Sequence, residues 1–171
     1  MNGEGLLQKV RAGGIVYGTM LSLSRNPRWV TPMAAFGLDY VIIDTEHSPR
    51  GRDDVADFLA AFGFSGVVPI VRIPIPDSHY VTMAVDAGSH GVLAPYCETV
   101  DEVKEVVGAA KWRPLKGALV QKAVETGELP SEASRAYLEN RNRNNVCIIG
   151  IESVPAIENL DNILKVNGVD A

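Results

Sequence analysis

Two cysteines in 171 residues, Cys97 and Cys147, are too few for a disulfide framework, and neither has a C-x-x-C partner or a Cys/His cluster beside it. Both read as reduced thiols of a cytoplasmic protein. Charge of one sign is also missing. The 16 basic and 21 acidic side chains leave a formal net charge of −5 with no block of like charge. That pattern gives a nucleic-acid footprint or a polybasic membrane anchor nothing to rest on, so the expected partner is a small molecule. No apolar run approaches the ~20 residues that span a bilayer. Met1-Asn2-Gly3-Glu4-Gly5 lacks the basic and then apolar order of a signal peptide, so a soluble chain is expected. There is no G-x-G-x-x-G and no P-loop, which removes the usual phosphate cradles.

What the sequence does have is a core. Hydrophobic residues make up 46% and charged residues 22%, the balance of a globular protein, and the length suits a single domain over 1–171. Short β-branched runs alternate with stretches of helical spacing. The strand candidates are Gly14 to Leu21, Leu38 to Asp44, Gly66 to Ile73, Gly91 to Ala94, a weak run near Lys116 to Val120, and Val146 to Ile151. Val55, Phe58, Leu59 and Phe62 keep an i, i+3, i+4, i+7 pattern, so Asp53 to Phe62 is a helix ended by Gly63. Thr99-Val-Asp-Glu102 has the form of a capping box opening a helix toward Lys111. A polar helix is expected around Ser131 to Asn144. Ser153 with Pro155 marks another start, with Ile157, Leu160, Ile163 and Leu164 on its inner face.

Runs such as Tyr40-Val-Ile-Ile43 and Val146-Cys-Ile-Ile149 are apolar at consecutive positions, which implies a parallel sheet buried on both faces. Polar residues collect at strand C-terminal ends rather than in a Gly-rich first turn, which favours a (β/α)8 TIM barrel over a doubly wound sheet. A barrel of that kind needs about 250 residues. The expectation is therefore an incomplete barrel with about six to seven of its β/α units, lacking its C-terminal strands and helices.

In a barrel the residues that end the strands converge on one mouth. Strand two ends in Asp44-Thr-Glu46-His47, strand three in Arg72, and the Val146 strand in Glu152-Ser153. A guanidinium is a fork suited to a carboxylate, a histidine is tuned for proton transfer near neutral pH, and carboxylates are hard ligands for a divalent cation. Read one at a time, His47 suits a loop histidine, Arg72 a salt-bridge partner, Glu152 a helix N-terminal acid and Asp86 a helix end. His79, after Pro76-Asp-Ser78, and His90 read as structural.

Four motifs together say more. Leu38-Asp-Tyr-Val-Ile-Ile-Asp-Thr-Glu-His-Ser-Pro49, Val71-Arg-Ile-Pro74, Val85-Asp-Ala-Gly-Ser-His-Gly-Val-Leu-Ala-Pro95 and Ile151-Glu-Ser-Val-Pro-Ala-Ile-Glu-Asn-Leu-Asp161, in that order, resemble the HpcH/HpaI aldolase family. The resemblance implies a metal-dependent class II aldolase, a carbon–carbon lyase joining or splitting pyruvate, as its enolate, and an aldehyde within 2-oxo-3-deoxy or 4-hydroxy-2-oxo acids. It implies His47 as catalytic base with Asp86 as its carboxylate partner, and Arg72 gripping the pyruvate carboxylate and enolate oxygen. Ser153 would touch substrate, and Glu152 would be one of two acidic ligands to Mg²⁺, Mn²⁺ or Co²⁺. Asp44 and Glu46 would support His47 or a water on the metal. The second ligand, an aspartate in a Gly-Pro-x-Asp-Leu-Ser stretch, would lie beyond Ala171. The family assembles as a homo-oligomer, a trimer or hexamer. Two readings stand beside this one: a decarboxylase or lyase on a related oxo acid, which would share the enolate, and an inactive fragment without the second ligand.

The chain departs from the family pattern in three places. Gly150 stands where a glutamine is usual, Ser153 where a threonine is, and Arg113-Pro-Leu-Lys-Gly117 replaces a Gly-Arg-Arg-Gly type stretch.

Overall fold

Each β-branched run with a helical run behind it has become one strand and its cover. The computed structural model describes residues 1–171. It has five strands: β1 (Gly18–Leu21), β2 (Tyr40–Asp44), β3 (Val68–Arg72), β4 (Gly91–Ala94) and β5 (Val146–Ile149). They lie in chain order in one sheet, and every neighbouring pair is parallel. A doubly wound sheet reverses its strand order once; unbroken sequential order is what a curling β/α barrel requires. The outer edge of β1 is unpaired. Beyond β5, Asp170 N donates to Cys147 O and Ile149 N to Ala171 O, each at 2.9 Å.

Nine helices accompany the sheet: α1 (Gly3–Arg11), α2 (Val30–Ala35), α3 (Arg52–Phe62), α4 (Ser78–Asp86), α5 (Val100–Lys111), α6 (Ala118–Thr126), α7 (Glu132–Asn142), α8 (Val154–Glu158) and α9 (Leu160–Ile163). None is long and apolar enough to cross a membrane. The stripe of α3 is the expected one, with Val55, Phe58, Leu59 and Phe62 buried. At the start of α5 the capping box closes, since Thr99 Oγ1 accepts from Glu102 N and the Glu102 carboxylate accepts from Thr99 N.

Two expectations need correction. Lys116 to Val120 is not a strand: Val120, Ala123 and Val124 recur at helical spacing, and Val120 and Val124 pack over Gly108 of α5. The chain therefore carries five barrel strands rather than six or seven units, and α5, α6 and α7 together make one crossover. The helix after Ser153 breaks in two at Asn159, whose side-chain N–H donates to Glu98 O at 3.1 Å. The break turns its face, so Ile163 is buried while Ile157 and Leu164 stay exposed.

Successive side chains of a strand point to opposite faces, and the two faces meet different partners. Val41, Ile43, Val71, Val92, Ala94, Cys147 and Ile149 face the helices and pack with Phe58, Leu59, Phe62, Val81, Val103 and Val107. Fully burying side chains of this size contributes about 1.5–3 kcal/mol each. Val68, Ile70 and Val146 occupy the inner face with Leu6 of α1, beside half-buried Tyr40, Ile42, Leu93 and Ile148. Helix α1 sits against the N-terminal end of that face because Gly3 has no side chain; a Cβ there would fall 1.9 Å from Asn144 O. Both cysteines are free and wholly buried, and burial pushes each thiol up to about 12.

Candidate active site

Alternation along β2 and β3 decides which side chains reach the inner face at the C-terminal rim. Asp44 follows Tyr40 and Ile42, Arg72 follows Val68 and Ile70, and the two are register partners across the β2–β3 ladder. Arg72 Nε donates to Asp44 Oδ1 at 2.9 Å, and Arg72 Nη1 lies 3.0 Å from Glu46 Oε2, outside hydrogen-bond geometry. Asp44 Oδ1 also accepts from Glu46 N at 3.0 Å and His47 N at 3.3 Å, which folds the turn after β2. Thr45 fastens that turn to β3 from the other side, its N and Oγ1 both donating to Arg72 O, at 3.0 and 2.6 Å. The aspartate thus builds the loop that holds the histidine.

Electrostatics follows from this packing. Asp44 is 1% exposed, and burial alone would raise its carboxyl. The hydrogen bonds from Arg72 and from the two backbone N–H groups outweigh burial and hold it below the ordinary value. Arg72 is moved the other way, first by its hydrogen bond to Asp44, with Asp44, Glu46 and Glu152 adding negative charge around it. Glu152 is therefore within electrostatic reach of Arg72, although about eighty residues separate them in sequence. His47 lies at the edge of the cluster, its side chain 71% exposed and its Nε2 3.5 Å from Glu46 Oε1.

The structure gathers Asp44, Glu46, His47, Arg72 and Glu152 at one rim and leaves Asp86 elsewhere. Helix α4 begins at the rim and runs back along the sheet, so Asp86, its last residue, is carried toward the opposite end. There it pairs with Arg113 rather than with His47. Any contact between His47 and Asp86 would have to be made between two copies of the chain. Ser153 is also engaged otherwise than expected. Its hydroxyl caps α8 by accepting from Ala156 N and donates to Glu98 Oε1 at 2.6 Å. A cavity of about 850 Å³ lies between α4, α5 and α6, away from the strand ends. Four of its seven charged groups are matched in pairs, Asp86 with Arg113 and Lys104 with Glu125, and Glu105 accepts from Ser78 N. The rim has a buried acceptor without a partner, Asp44 Oδ2, beside a cation and an exposed histidine, which makes it the better candidate.

Two contributors gave no sequence signal. Tyr96, after β4, holds a φ of 55°, the single non-glycine residue in the left-handed region, and half its surface is exposed at the rim. Arg50 stacks over the Phe58 ring, 5.1 Å from its centroid, and donates to Leu21 O and Ser48 Oγ, joining the end of β1 to the turn after β2.

As a cation site the rim is sparse. No three His, Cys, Asp or Glu side chains converge on one point. Glu46 is committed to Arg72, while the Glu152 carboxylate lies over Gly150 and reaches Arg72 only through its charge. One free hard-oxygen ligand beside an open rim fits a cation of the Mg²⁺ kind, which is held by one or two carboxylates and otherwise keeps water or substrate oxygens.

A β/α-barrel sheet with an arginine, a histidine and carboxylates at its strand ends defines the class of barrel enzymes that work at the C-terminal rim. Residues 19–171 match the family described as HpcH/HpaI aldolase/citrate lyase, and the chain belongs to that family. It is 33% identical over 157 residues to 2-dehydro-3,6-dideoxy-6-sulfogluconate aldolase of Pseudomonas putida, covering 90% of this chain and 59% of that protein. It is 30% identical over 155 residues to 2-keto-3-deoxy-L-rhamnonate aldolase of Salmonella gallinarum, covering 88% and 56%. The crystal structure of an HpcH/HpaI aldolase from Desulfitobacterium hafniense superposes with a TM-score of 0.79 at 33% identity, over 97% of this chain and 64% of that one. The chain thus spans less than two thirds of the length of these relatives.

Proposed function

We propose that this chain forms the enolate of pyruvate at the C-terminal rim and joins it to an aldehyde, or runs the reverse cleavage, as a class II aldolase on 2-oxo-3-deoxy or 4-hydroxy-2-oxo acids. The observation that carries the reading is Arg72. It is a guanidinium fixed at Nε by a buried aspartate, with Nη1 3.0 Å from Glu46 Oε2 and the charge of Glu152 within electrostatic reach. Held in this way it meets a carboxylate without having to be ordered first. His47, exposed beside Glu46, takes a proton from the pyruvate methyl carbon and returns one to the aldol oxygen in the synthesis direction; in cleavage it takes the proton of the aldol hydroxyl and returns one to the enolate carbon. Asp44 keeps both in register, because the same oxygen that fixes Arg72 also holds the backbone of His47. Glu152 would hold a divalent cation, Mg²⁺, Mn²⁺ or Co²⁺, whose Lewis acidity would favour enolate formation.

The same proposal includes a single domain over 1–171, a cytoplasmic site of action, a small oxo-acid as partner and assembly into a homo-oligomer. Oligomerisation is what would allow Asp86 of one copy to approach His47 of another.

The test is pyruvate in deuterated water with purified chain and Mn²⁺. The expected result is loss of the methyl proton signal at a rate proportional to protein, with a new carbon–carbon product only when an aldehyde is added. No exchange above the protein-free rate would overturn the proposal. Pyruvate release from a dicarboxylic oxo acid without any aldehyde-dependent product would replace it by a decarboxylase.

A further inference from the structure

Val146 and Ile148 point to the inner face, and continuing the alternation brings Gly150 and Glu152 to the same side. The backbone at Gly150 is fixed from both directions. Its N donates to Ala94 O at 2.7 Å and its O accepts from Cys97 N at 3.3 Å, spanning the bend where Tyr96 takes its positive φ. Gly150 itself lies outside the left-handed region, so backbone conformation does not demand a glycine. What the glycine supplies is space. A Cβ there would stand 2.6 Å from Glu152 Oε1 and 3.1 Å from both Ala94 O and Pro95 Cα. The carboxylate therefore occupies the volume that a side chain at 150 would fill.

We infer that Gly150 is a positioning residue, whose missing side chain forms the seat of the Glu152 carboxylate against the end of β4. This rests on the reading of Glu152 as the cation's carboxylate. It places a determinant of that site at a residue with no chemistry of its own. The group in closest conflict with a Cβ is the mobile end of a glutamate, so a methyl group at 150 moves the carboxylate before it moves the fold.

The experiment is a double-mutant cycle read by Mn²⁺ binding, from the electron paramagnetic resonance signal of the free ion, together with thermal melting. Gly150→Ala should melt within ~4 °C of the parent and bind Mn²⁺ ~10-fold more weakly, as residues that orient a ligand do. Added to Glu152→Ala, where there is no carboxylate to displace, Gly150→Ala should change the binding no further. Parent-like binding by Gly150→Ala, or an equal weakening in the Glu152→Ala background, would overturn the inference while leaving Glu152 as ligand. Undiminished binding by Glu152→Ala alone would instead overturn the assignment of Glu152, and the inference with it.

Discussion

The two ends of the sheet each bury one aspartate beside cationic side chains, and they finish it differently. Toward the N-terminal end, Asp170 has both oxygens engaged. Oδ1 accepts from Arg11 at 3.1 Å; Oδ2 accepts from Cys147 N at 3.0 Å and pairs with Lys111, which also donates to Asn145 O. At the C-terminal rim, Asp44 places three donors on Oδ1 and none on Oδ2. A buried acceptor left without a donor costs about 1–3 kcal/mol. Scaffold ion pairs avoid that cost, whereas a site tolerates it in order to keep acceptors free for something outside the chain. One cluster braces the fold with every acceptor filled; the other braces it while leaving an acceptor unfilled at the rim.

The sharpest way to break the contrast is Arg72→Ala. On sequence alone this change would leave the fold intact and remove only the contact to the enolate. The structure changes that expectation, because Arg72 is the cation hydrogen-bonded to a carboxylate 1% exposed. Leaving Asp44 buried and unpaired should cost about 3 kcal/mol of stability, on top of a fall of ~10²-fold or more in pyruvate exchange. Adding Asp44→Asn should recover much of the melting midpoint and none of the exchange. A single variant that melts like the parent would show Asp44 to be better solvated than the contact suggests.

His47→Ala separates the two effects at the same rim. Its side chain is 71% exposed, so stability should move by less than ~0.5 kcal/mol. Exchange of the pyruvate methyl protons should fall by ~10²-fold or more; exchange at the parental rate would remove His47 from the proton transfer. At the other end of the sheet the pattern should invert. Asp170→Asn weakens contacts to Arg11 and Lys111, which should lower stability by about 2 kcal/mol and leave exchange per folded molecule unchanged, checked by denaturant melts beside the same deuterium assay. A loss of exchange matching that of Arg72→Ala would erase the distinction between the two clusters.

Most of the frame was legible because it is local. The α3 stripe and the Thr99 capping box depend on residues three and four apart, and strand ends announce themselves by a polar residue after an apolar run. Asp44, Arg72 and Glu152 were found that way, and the alternation of faces brings all three to one side. Lys116 to Val120 misled because five residues with three apolar side chains in a row, Ala118, Leu119 and Val120, suit either period. The deciding contacts, Val120 and Val124 over Gly108, come from another helix. The Glu46–Arg72 pairing needed the distance between two strands. Asp86 needed only the sense of its helix: one that starts at the C-terminal end of a strand delivers its last residue to the far end of the sheet. The motif match paired Asp86 with His47, and chain direction gave Asp86 to Arg113 instead.

The smallest expected effect follows acid. Asp44 is held below its ordinary value of 3.8, so its charged form is favoured in the folded state over the unfolded one. Its contribution is complete above that value and is lost as the pH falls through the lower folded value. Urea melts of the parent and of Asp44→Asn across this range should differ most near neutrality and converge on acidification, as the parent's Asp44 takes up its proton. Arg72 stays charged throughout, so convergence reports the carboxylate alone. A gap that holds constant to pH values well below 3.8 would mean that charge is not what Asp44 contributes, and that its hydrogen bonds to the His47 turn carry the stability by geometry.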